Sequence, residues 1–143
     1  MSFTVRESGL TALRERLGRL ENADLSRLLR DLGGTAVKLV DRGFAESRSP
    51  YGNVWAPNTP ETIRLKGSSK PLIRTGRLRH SIRAEVRGVS VAIGSPVEYA
   101  PAPHLGTNRV PVREYLPMRP GTLPADWRDE LLAVAQAWVT APR

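Results

Sequence analysis

His80 stands beside Ser81, a pairing that in an active site would supply a base and a nucleophile. Neighbours in sequence do not make such a pair, and no Gly-x-Ser-x-Gly elbow presents the serine. His104 has no partner at metal-ligand spacing such as His-Glu-x-x-His. Both histidines therefore read as polar surface or loop residues. The acidic residues are scattered, and no Gly-rich phosphate loop occurs. An enzyme is not expected, and no cofactor or metal is implied.

The chemistry that the sequence does offer is electrostatic. Arg64, Lys66, Lys70, Arg74, Arg77, Arg79, Arg83 and Arg87 fall in one stretch, with Glu85 the one acid among them. On a short helix and a strand they would form a face able to meet phosphates or carboxylates. The formal net charge of +8 points the same way, toward nucleic acid, an anionic surface or an acidic protein. Zinc-finger spacing, RNP aromatics and a clear helix-turn-helix are all missing, so sequence-specific reading of DNA is not supported. One reading of these residues is a small basic protein that binds nucleic acid without sequence specificity. The other is docking onto acidic protein.

The elements that would position this face follow from periodicity. Leu10, Leu13, Leu17 and Leu20 repeat at helical spacing. Asn22 or Asp24 can cap a second helix with the stripe Leu25, Leu28, Leu29, Leu32, Ala36, Leu39, Val40 and Phe44. Gly33-Gly34 interrupts this stripe without breaking its phase, which predicts a continuing helix with a kink or a close helix contact. Together the two suggest an αα-hairpin, with one long broken helix as the alternative. From Ser47 to Lys70 turn chemistry dominates, yet the stretch holds Tyr51 and Trp55, which either pin the loop to the core or anchor an interface. Thr59-Pro60 is a good helix start. Thr75 can cap a short helix that places Leu78 and Ile82 on one face.

Alternation is clearest after that. Ile82, Ala84 and Val86 alternate with charged residues, and Val89, Val91 and Ile93 follow in the same rhythm. An Arg87-Gly88 turn would face Val86 with Val89 and Ala84 with Val91, giving a half-buried antiparallel hairpin. Glu114-Tyr115-Leu116 could add a strand beside it. Trp127, Leu131, Val134, Ala135 and Trp138 share one face of a C-terminal helix from near Pro124 to about Val139. The fold class is α+β: an N-terminal helical hairpin and a C-terminal helix packed on a small antiparallel sheet built around the 82–94 hairpin, with long Pro/Gly-rich loops.

At 143 residues the chain is one domain. Residues 1–47 form a helical region, 48–70 a loop with a short helix, 71–120 a β-rich region and 121–143 the C-terminal helix and tail. Cysteine is absent, which removes disulfides and thiolate metal sites. No signal peptide is read at the N-terminus, and no apolar run approaches the roughly 20 residues of a membrane span, so no membrane contact is expected.

An ordered set of pieces carries a resemblance. It runs Phe44, Pro50-Tyr51-Gly52 with Trp55-Ala56-Pro57, then Pro71-Leu72-Ile73-Arg74-Thr75-Gly76-Arg77-Leu78 with Ser81-Ile82. Val91-Ala92-Ile93-Gly94, Tyr99-Ala100, His104-Leu105-Gly106 and Val110-Pro111-Val112-Arg113-Glu114-Tyr115-Leu116 complete it. In this order, over about Leu25 to Pro120, the chain resembles the virion morphogenesis, or tail completion, family of tailed bacteriophages, notably of Mu-like phages. The resemblance implies a structural protein of the virion neck, assembled in the host cytoplasm, which finishes the tail and joins it to the head. It also implies a homo-oligomer, a hexameric ring, that meets other neck and tail proteins (connector, tail terminator or tail tube) with passing contact to genomic DNA. The interface residues expected on this reading are Tyr51, Trp55, Tyr99, Arg113 and Tyr115, with Arg74, Arg77 and Arg79 meeting acidic surfaces of neighbouring subunits or the DNA.

Overall fold

The computed structural model describes residues 2–4, 22–67, 70–72, 76–108, 111–119 and 122–140. The helix expected over Leu10 to Leu20, and with it the first arm of the helical hairpin, lies outside these residues, as do Arg74 and Thr75. What is described is α+β. Strand β1 (Ser2–Thr4) is followed by α1 (Asn22–Glu46), α2 (Pro60–Lys66) and α3 (Arg77–Ser81). Then come β2 (Arg83–Arg87), β3 (Ser90–Gly94), α4 (Pro101–Leu105) and α5 (Ala125–Thr140).

The hairpin forms, but two residues out of the expected register. Val86 pairs with Val91, Ala84 with Ile93 and Arg87 with Ser90. The turn is therefore Gly88-Val89 rather than Arg87-Gly88. Gly88 has φ 60° while Val89 keeps a negative φ, the pattern of a type II′ turn with glycine at its first central position. A shift of two preserves the faces, because strand side chains alternate with period two. Val91 and Ile93 thus remain buried, and Val89, expected to pair with Val86, is 82% exposed at the tip.

The third strand is not the expected one. The sheet order is β1-β3-β2, with Phe3 opposite Ile93. Glu114-Tyr115-Leu116 instead runs as irregular chain whose backbone groups bond elsewhere: Arg113 N donates to Pro103 O at 2.8 Å, and Glu114 O accepts from Trp55 Nε1 at 2.8 Å. Partners outside a ladder satisfy this segment, so it gains little from strand pairing.

Helix α1 runs unbroken through Gly33-Gly34 and lies across the sheet. The close contact expected there exists, although with a strand rather than a helix. A Cβ on Gly33 would sit 2.7 Å from Ala84 Cβ and 3.1 Å from Val91 Cγ1, so the missing side chain is what lets the helix touch the hairpin. The helix ends in a Schellman arrangement: Ser47 takes φ 53°, Arg48 N donates to Gly43 O at 3.0 Å, and Ser47 N donates to Phe44 O at 3.4 Å.

Helix α5 packs antiparallel to α1. Arg42 near the end of α1 meets Asp126 and Glu130 at the start of α5, while Asp31 accepts from Trp138 Nε1 near its end. The buried side carries Trp127, Leu131 and Ala135, of which Trp127 and Leu131 join the core that holds Leu39, Val40 and Phe44. The short helices obey end chemistry. In α2, Thr59 Oγ1 accepts from Thr62 N at 3.2 Å, and Gly67 closes the helix in the left-handed region. In α4, Pro101 and Pro103 both sit in the first turn, where an absent N–H costs no helical bond. In α3 the cap position is Gly76, at φ 77° and with no side-chain bond, rather than the expected Thr75.

Candidate interaction surface

Among the described interface candidates Trp55, Arg113 and Tyr115 are buried, Tyr51 and Arg79 are intermediate, and Arg77 and Tyr99 are exposed. Trp55, Arg113 and Tyr115 are 4%, 7% and 2% exposed, and their polar atoms bond within the chain. Trp55 meets Phe44 edge-on at 5.3 Å between ring centroids, Phe44 meets Tyr115 at 5.6 Å, and Tyr115 meets His104 edge-on at 5.2 Å. The four rings form a continuous file from the 48–59 loop, past the end of α1, to α4. Trp55 thus pins its loop to the core. Tyr115 donates from its hydroxyl to Ala100 O at 2.5 Å, and burial pushes its phenol pKa up.

Arg113 looks from sequence like a surface cation, yet its guanidinium is turned inward. Nε donates to Ala56 O at 2.9 Å, and a second nitrogen reaches Pro57 O at 3.3 Å and Asn58 Oδ1 at 3.5 Å. A planar fork of donors suits a cluster of carbonyls, and these bonds offset part of the cost of burying the charge. Arg113 clamps the base of the 56–70 segment, which Asn58 Nδ2 also ties to Lys70 O at 3.3 Å. Tyr51 is half-buried: its hydroxyl donates to Thr122 O at 3.0 Å and accepts from Arg119 N at 3.1 Å, while the Arg119 guanidinium lies 4.1 Å above its ring.

The exposed group is Tyr99 and Arg77. Tyr99 is 45% exposed, and the Arg77 guanidinium stands 5.6 Å over its ring. The fold thus brings the Arg77–Ser81 helix against the segment that leads into α4, two pieces of the chain between which the hairpin intervenes. Arg79 lies beside this pair in sequence but faces α1, where it forms a forked ion pair with both carboxylate oxygens of Asp41. The hydrogen bond from Arg79 holds the Asp41 carboxyl below its ordinary range. Reversing the charge at Arg79 would therefore break a contact with α1 as well as alter the surface.

Cations elsewhere in the stretch are partly matched too. Arg87 pairs with Glu85 across the exposed side of β2 at 3.1 Å. Both are more than half exposed, so the pair is worth little. A groove of about 530 Å³ opens between the end of α1, the 49–52 turn and the start of α5. Leu39, Tyr115 and Trp127 line it, and Arg42, ion-paired to Asp126 and Glu130, lies at it. Among the described residues no group of three His, Asp or Glu could hold a metal ion, and no helix is long and apolar enough to cross a membrane.

His104 differs from its expected place. It is 4% exposed in α4, and its Nδ1 accepts the Tyr115 N–H at 3.3 Å. The acceptor role requires a neutral ring with its proton on Nε2. Burial lowers its pKa from the ordinary 6.5, outweighing the opposite pull of Glu114. The unfolded chain then binds a proton that the folded chain resists, so stability is full above about pH 6.5 and falls as pH drops below it. Melting temperature is expected to decline between pH 7.5 and 5.5. In His104→Asn, which keeps an acceptor near the same place and does not titrate, that decline should flatten; an unchanged slope would assign it to other groups.

Ser81, next to the other histidine, shares a 2.6 Å hydroxyl–hydroxyl bond with Ser95 and donates to Leu78 O. It joins α3 to the chain after β3 and has no base beside it in this network.

Comparison with known proteins gives one finding. Residues 7–129 match the model of the phage virion morphogenesis family. Searches of curated proteins and of solved structures give no match.

Proposed function

The chain belongs to the phage virion morphogenesis family, and we propose that it is a subunit of the virion neck that completes the tail and joins it to the head. The family is one of structural proteins that build the particle, so partners among other virion proteins follow from membership. The neck position and a homo-oligomeric ring, hexameric in our reading, are the finer part of the proposal. The family match over most of the chain is the observation that carries it.

The fold is compatible with that role. A ring subunit needs a rigid body with side chains at its surface to meet its neighbours. Here the aromatic file and the Arg113 clamp supply rigidity, while Tyr99, Arg77 and half-buried Tyr51 stay at the surface. Trp55, Arg113 and Tyr115 support an interface from beneath.

Deleting the gene from the phage genome is expected to leave filled heads and tails that accumulate separately, with joining restored by a plasmid-borne copy. Electron microscopy of the lysate reads the outcome directly. Intact infectious particles without the protein would overturn the neck reading. Mass photometry of the purified chain tests the ring: a discrete hexamer, alone or on purified tails, supports it. A monomer that stays monomeric on tails, but binds duplex DNA with a steep salt dependence, would favour the nucleic-acid reading instead.

A further inference from the structure

Strand β2 stands at one edge of the sheet, because the order is β1-β3-β2. Among the described residues no strand pairs with its outer side. Burial agrees with an open edge. Val91 and Ile93 in the middle strand are buried, whereas Val86 and Ala84 opposite them are only partly so. The two-residue turn makes Arg87–Ser90 a hydrogen-bonded pair, and with it Glu85–Ala92 and Arg83–Gly94. The backbone N–H and C=O groups of Ala84 and Val86 therefore point away from β3, into the open edge. The Ala84 side chain faces α1 at Gly33, so alternation puts Arg83, Glu85 and Arg87 together on the opposite face, where all three are exposed.

From this geometry we propose that β2 pairs, antiparallel and about a two-fold axis, with β2 of a second copy of the chain. The order of charges along the strand names the occupant. Charged side chains guard an edge against indiscriminate pairing, but positive, negative, positive is complementary to itself when suitably offset. Centring the pair on Glu85 would match the backbone groups, yet it sets Glu85 against Glu85 and Arg83 against Arg87. Like charges directly opposite are destabilising. Centring on Ala84 brings Arg87 of each copy against Ser81, where the chain has already turned into α3. Centring on Val86 leads instead toward the compact Gly88-Val89 turn. It sets Glu85 of each copy against Arg87 of the other, twice, with valine against valine on the α1 side. The Glu85–Arg87 pair within the chain is exposed and weak, so both side chains can turn to the second copy at small cost. Being two-fold, this contact is additional to any that closes a ring about a single axis, and it does not rest on the neck reading.

Sedimentation equilibrium of the purified protein, from micromolar to millimolar concentration, tests the pairing. The expected result is an association whose dissociation constant rises about tenfold or more in Glu85→Arg and in Arg87→Glu, which set like charges opposite at both ends of the pair. The double variant carrying both changes should return toward the wild-type value, because the pairs are restored with their signs exchanged. Arg83→Glu, outside the matched pairs, should change it little. All three positions are exposed, so the variants keep the fold. No association, an association indifferent to positions 85 and 87, or one that responds to Arg83→Glu instead would overturn the proposal. A hexamer untouched by these changes would do so while leaving the ring standing. A dimer that obeys the charge exchange, with no larger species on tails, would defeat the ring and leave the β2 contact in place.

Discussion

Tyr115→Ala is expected to destabilise the protein by about 3–5 kcal/mol, in the range for removing a buried aromatic side chain. Tyr115 is 2% exposed, touches both Phe44 and His104, and holds the Ala100 carbonyl through its hydroxyl. Its loss opens a cavity at the middle of the aromatic file and removes the hydroxyl donor that ties Ala100 O to this segment. Domains of this size have roughly 5–15 kcal/mol in total, so much of the margin would go. Tyr115→Phe separates the two contributions. It keeps the ring and removes only the hydroxyl bond, which should cost about 1–3 kcal/mol. Urea unfolding of the three proteins reads both values. If the Phe variant is as damaged as the Ala variant, the hydroxyl bond rather than ring packing holds the site.

Substitutions at the adjacent glycines of α1 should have opposite signs. Gly34 has nothing within 4 Å of a Cβ position and is exposed, so Gly34→Ala should stabilise by up to about 1 kcal/mol from helix propensity. Gly33→Ala earns the same propensity but places a methyl 2.7 Å from Ala84 Cβ. That carbon cannot rotate away, because it is fixed to the strand backbone. Overpacking of this kind costs about 1–3 kcal/mol, so the net effect is destabilising, and Gly33→Leu should be worse by forcing α1 off the hairpin. A thermal melt in which Gly33→Ala is as stabilising as Gly34→Ala would show that the helix does not rest on β2. Adding Ala84→Gly to Gly33→Ala should recover part of the loss, beyond what the two single changes predict by addition.

The parts of this fold that were legible in the sequence are those whose pattern is local. The Leu28–Phe44 stripe gave α1 its length, and period-two alternation gave the hairpin its faces, even though Gly88 rather than Arg87 begins the turn. Trp127, Leu131 and Ala135 marked the inner side of α5 in the same way. What could not be read are pairings between distant segments. Nothing near Ser2–Thr4 announces a strand, because its partner is β3, far along the chain, whereas Glu114–Leu116 has strand-like residues but other partners. His104 and Arg113 mislead for a related reason. Their residue types favour the surface, and only Tyr115 N and the Ala56 and Pro57 carbonyls, brought in by the fold, make burial tolerable. A better guide was the oddity of large aromatics in a Pro/Gly-rich loop. Trp55 proved to be held there by the Glu114 carbonyl.

Contacts through the two loop aromatics also set how the chain must fold in time. Trp55 bonds to a carbonyl 59 residues away, Tyr51 to one 71 residues away, and Trp138 to a carboxylate 107 residues away. Each requires a long loop to close before it contributes anything. Helix α1 can form locally within about a microsecond, but its apolar stripe must then wait, uncovered, for segments made much later. Such a topology folds slowly for its size and leaves hydrophobic surface open meanwhile. Wherever many copies are made at once, aggregation competes with this search.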